Sequence, residues 1–197
     1  MRVTVFDYGA GNLHSLQKAL GAAGAETVVE TDPLAAAAAA VLILPGVGAF
    51  GPAAERLAPG REAIRQALFS GLPCLGICLG LQLLADRSDE GAGLGLGLFE
   101  GRVTRIAART LPQIGWNRLE DIHDPDIAAA GLECAYYANS YVVRPVDPGV
   151  VTAWSRHEAD TFPAALRRGR TLGVQFHPEK SSAPGLAMIR SFLESAR

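Results

Sequence analysis

Cys78 lies in the stretch Leu72-Pro-Cys-Leu-Gly-Ile-Cys-Leu-Gly-Leu-Gln-Leu-Leu84, framed by Gly76 and Gly80 in a G-x-C-x-G pattern. Before it runs a short apolar segment that reads as a buried parallel strand, and after it Leu79 to Ala85 reads as a helix. A thiol at such a corner has the chemistry of a nucleophile, because small neighbours permit the tight turn that exposes it. The unpaired N–H groups at the start of the following helix favour the thiolate. The backbone N–H of Leu79 is the natural first donor to an oxyanion formed on attack. The ordinary reading of a cysteine in an apolar context, a small buried hydrophobe, is the one taken for Cys74 and Cys134.

A cysteine nucleophile needs a base. Of the four histidines, His177 is the one that ends an apolar strand, Leu172-Gly-Val-Gln-Phe176, and is followed by Pro178-Glu179. A residue before proline is held extended, so His177 and Glu179, two apart, are expected to project to the same side, the carboxylate orienting the imidazole. That is the third-group role of a catalytic triad. His14, on a helix, and His123 and His157, in polar loops, are read as structural or solvated, and no cluster has metal-ligand spacing.

The elements that must place these residues follow from periodicity. Strands are expected at Val3–Phe6, at Glu26–Glu30 near an edge, and at the fully apolar Val41–Leu44. Between them come an amphipathic helix carrying Leu13, Leu16, Leu20 and Ala23, with Asn12 as candidate N-cap and Gly24 as its stop, and an alanine-rich helix opened by Asp32-Pro33 and extending through Ala40. Gly9 and Gly11 lack the third glycine of a dinucleotide-binding turn. A helix over about 61–70 precedes the Cys78 strand. Strand–helix–strand repetition predicts a right-handed parallel α/β sheet with its chemistry at the strands' carboxyl ends. The loop Pro45-Gly-Val-Gly48 lies at such an end, where an amide from Val47 or Gly48 is placed to be a second oxyanion donor, or the loop is an ordinary tight turn. Beyond residue 90 the pattern changes to glycine-rich turns and short strands: 91–101, 103–106, 136–143, 151–154, 164–167 and 171–176. Arg168-Gly-Arg170 is a turn between the last two, and Leu186–Arg197 is a packed C-terminal helix with Leu186, Ile189 and Leu193 on one side. The fold class is therefore α/β, an open, mostly parallel sheet flanked by helices with an antiparallel extension.

At 197 residues the chain reads as one domain over 1–197, with a formal net charge of −2 that offers no basic footprint for nucleic acid or an anionic membrane. Three cysteines without framework spacing and no signal-peptide pattern predict free thiols in a reducing, cytoplasmic setting. No apolar run approaches the ~18 residues of a membrane span. No cofactor is called for.

Gly76-Ile-Cys-Leu-Gly80 with Gln82, and Gln175-Phe-His-Pro-Glu179, resemble the two signatures of the class I (triad) glutamine amidotransferases. Further stretches, Asp7–Leu13, Leu44–Phe50, Gly95–Ile106, Ile114–Asn117 and His177–Ser181, are similar to one branch of that family, the glutaminase subunits of imidazole glycerol phosphate synthases. The resemblance implies a glutaminase that passes ammonia to a separate (β/α)8 cyclase subunit, as a heterodimer, in histidine biosynthesis. It implies Cys78, His177 and Glu179 as the triad; Gly48, Gln82, Ser140 and Tyr141 around bound glutamine; Val47 and Leu79 as oxyanion donors; and Asn12, Trp116, Asn117, Tyr136 and Lys180 toward the partner. Asn139 and Gln113 depart from the family, which often has His at both positions. Another cysteine hydrolase of the same fold, such as a γ-glutamyl hydrolase or peptidase, and a non-catalytic binding module are the alternatives.

Overall fold

A computed structural model describes residues 1–9, 11 and 13–197. In chain order its elements are β1 (Arg2–Phe6), α1 (His14–Ala22), β2 (Glu26–Glu30), α2 (Pro33–Ala37), β3 (Leu42–Leu44), α3 (Phe50–Leu57), α4 (Arg61–Phe69), β4 (Cys74–Ile77), α5 (Leu79–Leu83), β5 (Arg87–Ser88), β6 (Gly101–Arg105), β7 (Gln113–Arg118), α6 (Pro125–Ala129), β8 (Cys134–Asn139), β9 (Tyr141–Pro145), β10 (Val151–His157), β11 (Asp160–Arg168), β12 (Thr171–Val174) and α7 (Ser182–Ser195). A short 3-10 turn, Pro178–Lys180, follows β12.

Seven strands form the central sheet in the order β10-β11-β12-β4-β3-β1-β2. β12, β4, β3, β1 and β2 are parallel neighbours, while β10, β11 and β12 are joined antiparallel. This is the expected mostly parallel α/β sheet with an antiparallel extension, and β2 lies at its edge. Side chains of successive strand residues leave opposite faces, so the apolar runs feed two cores. Ile43 joins Leu16 and Leu20 of α1 and Met188, Ile189 and Phe192 of α7 on one face, whereas Leu42 and Leu44 join Phe50, Leu57, Ile64 and Leu68 of α3 and α4 on the other. Among the described residues no helix is long and apolar enough to cross a membrane.

Several local expectations change. The alanine helix, capped as foreseen by Asp32, which accepts from Leu34 N–H at 2.9 Å, ends at Ala37. Only Pro33 and Ala36 of it are buried, and propensity without a packing face does not carry so short a helix further. α3 was not foreseen, although Phe50, Ala53, Ala54 and Leu57 recur at helical spacing and are all buried. The stretch 136–143 is not one strand: β8 pairs with β7, β9 pairs with β6, and the chain passes between the two sheets at Ser140. α7 begins at Ser182, and Leu186 is only half-buried while Met188, Ile189, Phe192 and Leu193 form its inner face. Cys134 is exposed rather than a core hydrophobe, because it opens β8 facing outward; Cys74 is buried as expected. Asn12, proposed as an N-cap and partner contact, lies outside the described residues.

Candidate active site

Register brings the two signatures together. β4 and β12 are parallel neighbours with Ile77 opposite Val174, so Cys78 and His177 emerge at the same carboxyl edge of the sheet. Cys78 N–H donates to Val174 O at 2.7 Å across that junction. Cys78 has φ 48° and ψ −102°, a left-handed backbone that a non-glycine residue holds at a cost of about 1–3 kcal/mol. Both flanking glycines are sterically required. A Cβ on Gly80 would stand 2.0 Å from Leu44 O, and one on Gly76 would meet Leu84 Cδ1 at 2.8 Å and the Gly80 carbonyl at 2.9 Å. The G-x-C-x-G pattern thus allows α5 to pack directly onto β3 and β4, holding the thiol at the corner.

His177 is buried and donates Nδ1–H to Glu179 Oε1 at 2.8 Å, which leaves its other ring nitrogen for the Cys78 sulfur. Burial acts to lower the His177 pKa, but hydrogen bonds to the Cys78 thiolate and to Glu179, with the charges of both, outweigh it and push the value up to about 10. His177 therefore favours its imidazolium form at neutral pH. Gly46 lies between them: a Cβ there would be 3.0 Å from Cys78 Cβ, 3.0 Å from His177 Cε1 and 3.0 Å from Ile77 O. Its lack of a side chain is what lets the base and nucleophile meet, a role that the spacing of the Pro45–Gly48 loop did not reveal.

Two cavities adjoin this pair. The first, about 240 Å3, is lined by Cys78, Leu79, Gly46 and Gly48 at one end and by Gln82, Glu90, Asn139, Ser140 and Tyr141 elsewhere. It gathers Gly48, Gln82, Ser140 and Tyr141, the four residues expected around a substrate. The second, about 370 Å3, borders His177 and Glu179 from the other side, with Val47, Lys180 and Ser15 in its wall. Val47 therefore faces the second cavity, whereas Gly48, at φ 101°, faces the first with Leu79. The side chain of Val47 is directed toward Gly11, where an added Cβ would meet it at 2.5 Å.

Two residues of the site were missed in the sequence. Gln175 is fully buried and donates Nε2–H to Cys78 Sγ at 3.5 Å. Its Oε1 accepts from Gln82 Nε2 at 3.4 Å, and Gln82 also donates to Tyr141 O at 3.0 Å. Gln175 stood within the His177 motif, but alternation along the strand gave it no role. Glu90 enters the first cavity from the glycine-rich stretch before β6, where no periodicity marks it; its Oε2 accepts from Phe50 N–H at 3.0 Å.

Of the residues assigned to a partner-facing surface, Trp116 and Tyr136 are opposite each other on β7 and β8 with rings 6.2 Å apart edge to face, and Lys180 Nζ lies 5.8 Å over the Tyr136 ring. Trp116 is 55% exposed and Ile114, on the same face, 67%. Asn117 is not part of that group. Alternation turns it to the opposite face of β7, where its Nδ2 donates to Arg156 O at 2.8 Å. The cluster is tied to the His177 turn through the backbone, since His177 N–H donates to Tyr136 O at 2.8 Å and Tyr136 N–H to Ser181 Oγ at 2.9 Å.

A family model described as glutamine amidotransferase class-I matches residues 4–196. The imidazole glycerol phosphate synthase subunit HisH of Symbiobacterium thermophilum is 46% identical over 198 residues, covering 97% of this chain and 92% of its own. The subunit of the same name from Acaryochloris marina is 42% identical over 204 residues, covering 99% and 95%. A glutamine amidotransferase crystal structure superimposes with a TM-score of 0.76 at 25% identity, over 98% of each chain. PurLQS from Thermotoga maritima shares the fold with a TM-score of 0.72 at 21% identity, over 100% of this chain and 99% of the matched one.

Proposed function

The chain belongs to the class I glutamine amidotransferase family, and on that premise we propose how it works as the glutamine-hydrolysing subunit of an imidazole glycerol phosphate synthase. Glutamine enters the 240 Å3 cavity with its side-chain amide toward Cys78. The Cys78 thiolate attacks the amide carbon, and the oxyanion that forms is received by the N–H of Leu79, which the start of α5 leaves without an intrahelical partner, and by an amide of the Pro45–Gly48 loop. His177 delivers its proton to the departing nitrogen, releasing ammonia and leaving a γ-glutamyl thioester. Water deprotonated by His177 then attacks the thioester, a second oxyanion collapses, and glutamate leaves as the thiolate is restored. Glu179 keeps the imidazole in the required tautomer and stabilises its charged form.

The observation that carries this reading is the buried Cys78–His177–Glu179 array at the mouth of a cavity lined by Gln82, Ser140 and Tyr141. Ammonia is passed to a (β/α)8 cyclase subunit that docks as a heterodimer partner over Trp116, Tyr136 and Lys180, at the second cavity. The whole chain acts as one glutaminase domain in the cytoplasm, where its free thiols persist.

The test is the Cys78→Ala variant assembled with the cyclase. Glutamine-dependent product formation is abolished, while the same complex supplied with an ammonium salt keeps its synthase activity. Loss of the ammonium-driven reaction in an intact complex, or glutamine hydrolysis surviving in the variant, overturns the assignment. Hydrolysis of γ-glutamyl peptides in preference to free glutamine would favour a partner-independent hydrolase instead.

A further inference from the structure

Gln175 stands just past the end of β12, is fully buried and lines neither cavity, so it is placed to act on the nucleophile rather than on the substrate. Its backbone is fixed by donation of its N–H to Ala164 O at 2.9 Å, and the preceding Val174 O accepts from Cys78 N–H at 2.7 Å. The amide at the end of its side chain has one orientation open to it. Gln82 Nε2 donates to Tyr141 O at 3.0 Å, and a backbone carbonyl only accepts, so the Gln82 atom there is a nitrogen. The Gln175 atom 3.4 Å from that nitrogen is therefore Oε1, which leaves Nε2, a donor only, 3.5 Å from Cys78 Sγ. Sulfur is a weak acceptor when neutral and a much stronger one when charged. A buried donor aimed at it thus acts in proportion to the charge that the sulfur carries.

That dependence selects one step of the reaction. In acylation the sulfur loses charge as its bond to the amide carbon forms, so a donor on it stabilises the start of the step at least as well as the transition state and gives no acceleration. In deacylation the charge runs the other way. Water, deprotonated by His177, has added to the thioester; the tetrahedral intermediate then collapses, its oxyanion re-forms a C=O, the C–S bond breaks and the electron pair of that bond passes to Sγ. His177, whose pKa is raised to about 10, keeps the proton it took from water, so the sulfur departs as an anion. From this geometry we infer that Gln175 is a catalytic residue of the deacylation step, its Nε2–H stabilising the charge that develops on Cys78 Sγ as the γ-glutamyl thioester is hydrolysed, while Gln82 holds the Gln175 amide in its donating orientation. The inference rests on the glutaminase reading of the site.

The experiment is rapid-quench kinetics with radiolabelled glutamine on the complex with the cyclase, which gives the formation and the decay of the Cys78 thioester as separate rate constants. The variant is Gln175→Met, which keeps the length of the side chain but has no donor; Gln82 keeps its bond to Tyr141 O, so no second group is stranded. Thioester decay slows about ten- to a hundredfold, the worth of a hydrogen bond to a charged acceptor, while formation stays within about threefold of native. In the steady state the thioester accumulates, and kcat and KM fall together with kcat/KM nearly held. Gln175→Leu, a second variant without a donor, shows the same split. Rate constants do not depend on the fraction folded, so a reduced yield of either variant leaves the comparison intact. Equal slowing of formation and decay marks a displaced sulfur and overturns the inference, as does native decay in both variants. A native enzyme that forms no thioester from glutamine overturns the glutaminase reading itself.

Discussion

Replacing Gly46 by alanine puts a methyl group where the structure leaves 3.0 Å to Cys78 Cβ, 3.0 Å to His177 Cε1 and 3.0 Å to Ile77 O. Carbon atoms pack best at about 3.5–4.0 Å, so the contacts are short by about 0.5 Å or more. The φ of Gly46 lies outside the positive range, so alanine adds no backbone strain and the whole effect is local crowding. Ile77 O belongs to β4 in the middle of the sheet and Cys78 is fixed at its corner, so the ring of His177 is the part able to give. It must retreat by a few tenths of an ångström, lengthening its contact with the thiolate or the 2.8 Å bond to Glu179. A displacement of about 1 Å costs on the order of 100-fold in rate, so this one costs about three- to tenfold in kcat. Overpacking of this size destabilises by about 1–3 kcal/mol, a fall in melting temperature of about 2–12 °C for a chain of this length. Gly80→Ala is the contrast. Its Cβ would stand 2.0 Å from Leu44 O, a clash that only separation of α5 from β3 relieves, so folding itself should fail. The assay is glutamine turnover by each variant in the complex, with ammonium-driven synthesis and thermal melting as controls. A folded Gly46→Ala enzyme with native kcat would refute the view that this gap sets the distance between base and nucleophile.

Glu179→Gln removes a charge that helps hold the His177 pKa up, so the alkaline limb of kcat/KM moves to lower pH; an unmoved limb would mean that the thiolate alone sets it. Since the folded-state value is raised above the unfolded ~6.5, the imidazolium contributes stability that is complete below about 6.5 and is lost as pH climbs through about 10, and melting followed from pH 6 to 10 should show a shallower decline in the variant. Ser181→Ala removes a hydroxyl that accepts from Tyr136 N–H and donates to His177 O at 2.7 Å; it should cost about 1–3 kcal/mol in denaturant unfolding, and a change below about 0.5 kcal/mol would dismiss the link between β8 and the His177 turn. Lys180→Ala leaves melting nearly unchanged because the side chain is exposed, but weakens association with the cyclase and its stimulation of glutamine hydrolysis; native values for both would make Lys180 a solvated neighbour of the site.

Sequence alone was enough for whatever depends on neighbours along the chain. Gly76 and Gly80 around Cys78 announce a corner because a tight strand-to-helix turn excludes side chains locally, and Pro178 holds His177 and Glu179 on one side because it restricts the residue before it. The apolar runs at 42–44 and 74–77 declared buried parallel strands for the same reason: burial on both faces leaves no polar alternation. Other features depend on partners far away in the chain, and local pattern carries no record of them. The run 136–143 is equally strand-like throughout, and only pairing with β7 on one side of Ser140 and β6 on the other divides it. Gln175, Gln82 and Asn139 are three ordinary amides, 93 residues apart in the case of the first two, until the turn after β12, α5 and β8 bring them together: Gln175 bonds the sulfur, Gln82 bonds Gln175, and Gln82 and Asn139 share the carbonyl of Tyr141. Gly46 reads as a turn glycine, yet its consequence is set by two side chains arriving from β4 and β12. Local sterics and hydrophobic periodicity act within a few residues, whereas these contacts exist only after the sheet order has been chosen, and that choice belongs to the packing of the whole chain.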